Sequence, residues 1–218
     1  YILVGDDDTN LEGTYLNTRY SGEYVRFGTG VNTLYRIVSH ENGTGTKITS
    51  AEPLKSGTSF VTSSFGTGNV FSTSSTIGSF LNNTYLTSYV GSPYTSMIDT
   101  STWYLGSINL GSDYRLAKYT NTSMTNTVSS TASSRVGLLR YGELMSGQFN
   151  DVDSNTNYWL ITPSSTTYDF FIGTQSGGSY ASSTASYGVK PALNLNENVI
   201  ITGGTGTIND PFTIELSN

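Results

Sequence analysis

The sequence predicts an α+β domain of short, mostly antiparallel strands with one or two helices and long loops. Three observations carry that expectation. Apolar residues alternate over short runs such as YVRF at 24–27 and LYRIVS at 34–39. A helical period appears clearly only once, between Ile77 and Tyr89. Long stretches rich in Ser, Thr and Gly separate the runs, a pattern of strands and helices set apart by loops.

Along the chain, HENGTG at 40–45 is a turn cluster between LYRIVS and TKITS at 46–50, which predicts a hairpin. Ile77, Phe80, Leu81, Leu86 and Tyr89 fall near helical spacing, with Ser75 or Thr76 as N-cap and the stop at 91–93. RVGLL at 135–139 reads as a strand and 141–146 as a second short helix. YWLI at 158–161, YDFFI at 168–172, and residues 188–195, 199–201 and 212–214 read as further strands. The low-complexity stretches 56–76 and 120–134 read as loops within one domain spanning 1–218, because neither has the length or proline content of a linker.

Ser and Thr make up about 30% of the 218 residues, far above globular usage. The 16 Tyr, 9 Phe and 2 Trp argue against disorder, which is poor in aromatics. A net charge of −6 with no run of Lys or Arg argues against nucleic acid or an anionic membrane as partner. No apolar stretch approaches the roughly 20 residues of a membrane-spanning helix, so membrane insertion is not expected. The chain has no Cys, which excludes disulfides, thiolate metal sites and thiol catalysis. It starts at Tyr1, in mid-pattern, as expected of a piece cut from a longer protein.

The order of YVRF, LYRIV, FLNNTY at 80–85, WYLG at 103–106, RVGLL, YWLITP at 158–163, GVKPALNL at 188–195, ITGGTG at 201–206 and NDPF at 209–212 resembles an uncharacterised family of bacterial cell-surface domains. That family is related to the C-type-lectin-like and formylglycine-generating-enzyme (sulfatase-modifying factor) fold. The family's usual Gly-Val-Arg-Pro carries Lys190 here, and its common Trp is Tyr35. The resemblance implies a C-type-lectin-like fold, an extracellular place on a bacterial surface or cell wall, and a closing stretch that forms a central strand and a sealing hairpin. Pro191 then needs a position without a ladder donor, and the glycines at 203 and 204 allow a tight turn.

Catalysis has little support. His40 is the chain's single histidine and sits in the expected turn, and Ser176 in GTQSGG misses the nucleophile-elbow pattern. Formylglycine generation needs thiols that this chain lacks. The function expected is therefore a non-enzymatic adhesion or ligand-binding module, recognising a host or neighbouring-cell protein or a glycan. A structural stalk without a ligand is the alternative. Tyr168, Tyr180 and Tyr187, set among Ser and Gly in the late loops, are the candidate ligand contacts. Asp151, Asp153, Asn155 and Asn157 place oxygen ligands at every second position, as at the start of a calcium loop. Thr156 and Thr162 stand where such a loop carries Gly and Glu, and an Asx-turn-rich loop explains the same pattern. Ca2+ is the one cofactor this spacing points to.

Overall fold

Alternation places Val25, Tyr35, Ile37, Ile48, Val136, Leu193 and Leu195 on one face of a sheet, and all are buried. The structure is a computed structural model that describes residues 10–40, 45–68, 70–106, 131–147, 156–163, 169–174 and 177–218. Its first half contains β1 (Tyr24–Arg26), β2 (Leu34–Ser39), β3 (Thr46–Ser50), β4 (Lys55–Ser56), β5 (Ser59–Phe60), β6 (Thr62–Ser63), α1 (Thr76–Asn82) and β7 (Ser101–Tyr104). Next come β8 (Thr131–Ser134), β9 (Val136–Leu138), α2 (Tyr141–Gly147), β10 (Tyr158–Pro163), β11 (Asp169–Thr174) and β12 (Gly177–Ser182). The chain closes with β13 (Tyr187–Gly188), β14 (Pro191–Leu195), β15 (Val199–Gly203) and β16 (Thr213–Leu216). Among the described residues the architecture is α+β, with mostly antiparallel strands in several sheets and two short α-helices. No described helix is long and apolar enough to cross a membrane.

One five-stranded sheet has the order β1-β2-β3-β14-β9, and a second has β12-β11-β10-β13-β6. The sheets meet where the chain leaves β13 and enters β14. The sequence expectation of one strand over 188–195 is corrected here, because the run bends between the sheets at Val189 and Lys190. Gly188 begins that corner, where a Cβ would stand 2.9 Å from the Asn157 carbonyl oxygen. Pro191 opens β14, a position that tolerates the loss of its N–H. β14 is an interior strand between β3 and β9, as expected of the closing stretch.

The sealing hairpin β15–β16 forms its own small sheet and docks on the outer edge of β1. Tyr24 N–H donates to the Gly206 carbonyl, Arg26 N–H to the Phe212 carbonyl, and Phe212 N–H back to Tyr24. Gly204 has φ 84°, and a Cβ there would lie 2.1 Å from the Pro211 carbonyl oxygen. Both the turn and the close approach therefore require glycine.

Ser75 caps α1 by accepting from Gly78 N–H at 3.2 Å, as its position predicts. The helical stretch does not run evenly to its stop. It is interrupted at Asn83 (φ −129°, ψ −80°) and resumes as a wider π-type turn over Leu86–Val90, ending at Gly91. The low-complexity stretch 56–76 is more ordered than a loop reading allows. It holds β5 and β6, and Thr62 and Ser63 pair with β13. Of 120–134, the described part is β8, paired with β7. A polar segment becomes a strand when a partner takes up its ladder bonds, whatever its own propensity.

Candidate functional site

The opposite face of the first sheet is polar and yet covered. Antiparallel register sets Lys47 directly against Asn194, and Thr49 against Ala192, which in turn faces Gly137. The antiparallel pair β7–β8 lies over this face. Its Trp103 ring rests on Gly137, where a Cβ would come within 2.6 Å of the ring, and is held by an N–H bond to the Ser134 carbonyl at 3.1 Å. The Lys47 ammonium sits 4.9 Å from the Trp103 ring centroid.

The carboxylate that meets Lys47 comes from α2. Glu143 Oε2 lies 2.8 Å and Oε1 3.0 Å from Lys47 Nζ. Arg140 donates to Oε1 through its backbone N–H at 2.9 Å and through Nε at 3.3 Å. The backbone bond is half of a capping box, in which an acidic third residue of a helix turns back to the residue before its start. All three charged side chains are buried. Burial by itself would raise the Glu143 carboxyl, but the charges of Lys47 and Arg140 and the bonds they donate bring it below its ordinary 4.5.

Beside this cluster, the end of β14 and the segment leading into β7 enclose a cavity of about 530 Å3. Its wall carries the exposed carboxylates Asp99 and Glu197, the hydroxyls of Ser101 and Thr102, and the half-buried Tyr104. Asn196 locks this wall. Its N–H donates to the Met97 carbonyl, its Nδ2 reaches Asp99 Oδ1 at 3.1 Å, and its Oδ1 accepts from Asn198 N–H. Asn194 also lines the cavity. Its carboxamide is buried, and among the described residues neither Oδ1 nor Nδ2 has a hydrogen-bond partner.

No family model, curated protein or solved structure matches the chain. The site therefore has to be read from its own chemistry.

Among the candidate ligand contacts, Tyr180 lies on the edge strand β12 and is 56% exposed. Tyr187 sits on β13, half-buried and edge-on to Trp159 at 5.2 Å. β11 and β10 lie between these two tyrosines in the sheet order, and neither lines the cavity. Tyr168 lies outside the described residues, as do Asp151, Asp153 and Asn155. Asn157 is described, and its backbone carbonyl accepts from Gly188 N–H at 2.8 Å. Among the described residues, no three His, Cys, Asp or Glu side chains form a metal-holding group.

His40 directly follows β2. It is half-buried, with Nε2 2.7 Å from the Arg19 carbonyl and Nδ1 3.3 Å from the Gly45 carbonyl. Sequence reasoning missed the cluster of Lys47, Glu143, Arg140 and Asn194. A lone Lys in TKITS or a lone Asn in GVKPALNL carries no signal until the register brings them together.

Proposed function

We propose that this chain is a non-enzymatic ligand-binding module of C-type-lectin-like fold, displayed on a bacterial cell surface, and that its ligand is a glycan. The cavity beside β14 carries the reading. Carboxylates and hydroxyls next to one aromatic ring suit a polyhydroxylated ligand, which needs many hydrogen-bond acceptors and donors and a flat apolar surface. The size, about 530 Å3, lies within the range of small-ligand pockets, about 300–1,000 Å3. A stalk without a ligand has no use for a locked polar wall of this kind. The non-enzymatic part is supported by the place of the single histidine, half-buried with Nε2 2.7 Å from the Arg19 carbonyl and Nδ1 3.3 Å from the Gly45 carbonyl. Short antiparallel strands with two short helices support the fold, and the low-charge, Ser/Thr-rich composition supports the surface location.

A glycan microarray probed with the purified chain tests this. The expected result is binding to a defined glycan class that disappears in Asp99→Ala/Glu197→Ala and in Tyr104→Ala. Asp99 and Glu197 are both exposed, so the fold should lose no more than the hydrogen bond that Asp99 accepts from Asn196, about 0.5–1.5 kcal/mol. Signal that survives these changes but vanishes in Tyr180→Ala would move the site to the β12 edge. No binding to any glycan would overturn the glycan reading.

A further inference from the structure

We propose that the side chains of Lys47 and Asn194 join in an intramolecular isopeptide bond, formed with loss of ammonia and assisted by Glu143. The inference starts from a cost. A buried carboxamide with both polar atoms unpaired is unfavourable, and folded proteins rarely leave one without a reason. Asn194 is also not an isolated orphan. Its register partner is a buried amine, and that amine is held by a buried carboxylate.

The backbone sets up the approach. The Asn194 carbonyl accepts from Asp99 N–H, on the side of β14 away from β3. Lys47 and Asn194 therefore form a non-hydrogen-bonded antiparallel pair, the type with Cα atoms about 4.5 Å apart and the closest side chains. Both side chains leave the same face of the sheet. A lysine side chain is longer than this gap, so a change of rotamer at its outer carbons carries Nζ from Glu143 towards Asn194 Cγ. The Trp103 ring covers the amine and excludes water.

The chemistry balances without an added reagent. Lys47 Nζ gives a proton to Glu143 along their 2.8 Å contact, which frees its lone pair. Nζ attacks Asn194 Cγ and forms a C–N bond. The Cγ–Nδ2 bond breaks, and Nδ2 takes up both the proton held by Glu143 and the second proton that Nζ sheds on becoming an amide, so that it departs as ammonium and Glu143 returns to its carboxylate. One alkylammonium and one primary amide become one secondary amide and one ammonium ion, with no change of oxidation state. Glu143 is the catalytic residue, since it exchanges the proton with the reacting atoms.

The product removes two costs at once. The unpaired Nδ2 donor is gone. With all three groups ionised, Lys47, Arg140 and Glu143 carry one excess positive charge in a dry site, and acylation of Lys47 leaves Arg140 and Glu143 as a balanced pair. The bond also ties an early strand to a late one across 147 positions of chain, and so constrains the unfolded state.

Intact-mass spectrometry of the folded, purified chain is the test, followed by protease digestion and peptide mapping. The expected mass is lower than that of the sequence by one ammonia, about 17 Da. The expected map contains one branched peptide joining the segments around Lys47 and Asn194, with no cleavage after Lys47. Lys47→Arg, which keeps a cation on Glu143, and Glu143→Gln should each restore the full mass. A full-mass wild-type chain with separate peptides overturns the proposal. So does an ammonia loss that maps to a cyclised asparagine without a branched peptide.

Discussion

The hydroxyl oxygens of Tyr35 and Tyr85 lie 2.5 Å apart in the fully buried core, and this contact ties β2 to the helical segment fifty positions later. Burial pushes both hydroxyls up, and for Tyr85 the neighbouring Tyr35 adds to the effect, so both stay neutral wherever the protein is folded. Each hydroxyl is the other's partner. Tyr35→Phe or Tyr85→Phe alone should each destabilise by about 1–3 kcal/mol, because the remaining hydroxyl is buried unpaired. The double change should cost less than the sum of the two. Urea unfolding of the four proteins closes the cycle, and additive costs would mean that the contact contributes nothing of its own.

Glu143 predicts an acid-dependent stability with a definite sign. Its folded-state value lies below its ordinary 4.5, so the folded protein holds the deprotonated form more tightly than the unfolded chain does. The resulting stabilisation is fully present above about pH 4.5 and is lost as pH falls through the lower folded-state value. In Glu143→Gln, the fall in stability between about pH 5 and pH 2 should be shallower than in the wild type. At neutral pH the variant should be less stable by about 3–5 kcal/mol, since Lys47 and Arg140 keep their charges in a dry site without the carboxylate. Chemical unfolding across that pH range measures both effects. Equal slopes would remove Glu143 from the acid transition.

Gly137→Ala should loosen the β7–β8 pair that covers the polar face. The added Cβ would stand 2.6 Å from the Trp103 ring, so the ring must lift away from the sheet. A forced displacement of this kind costs about 1–3 kcal/mol. Near-ultraviolet circular dichroism should report a changed Trp103 band, with the fully buried Trp159 as an unchanged reference. A wild-type spectrum with undiminished stability would show that the ring does not depend on Gly137.

Much of the fold was legible in the residues. Tyr24–Arg26, Leu34–Ser39 and Thr46–Ser50 follow from alternation and from the turn cluster between the last two. Ser75 could be identified as a cap because its side chain acts on a backbone N–H three residues away. Such local effects act over a few residues, which is why a sequence displays them. Other features depend on partners far along the chain. The side chain of Asn82 closes the end of β9 by bonding both N–H and C=O of Val136. Nothing within ten residues of Asn82 announces that role. The strands β5, β6 and β8 were hidden in the same way, because Ser- and Thr-rich segments acquire ladder bonds only when a distant strand supplies them.

By itself, then, the sequence determined the α+β class, the glycine turn after the closing strand and the absence of thiol chemistry. Each depends on periodicity, local backbone freedom or composition, and those are properties of the chain alone. Only the tertiary structure decided that GVKPALNL bends between two sheets, that Lys47 faces Asn194 and that Glu143 pairs with Lys47 and Arg140. It also decided that Asp99 and Glu197 share a cavity. The reason is physical. Register and sheet order are fixed by the packing of the whole core, so residues 147 positions apart become neighbours only when that core forms.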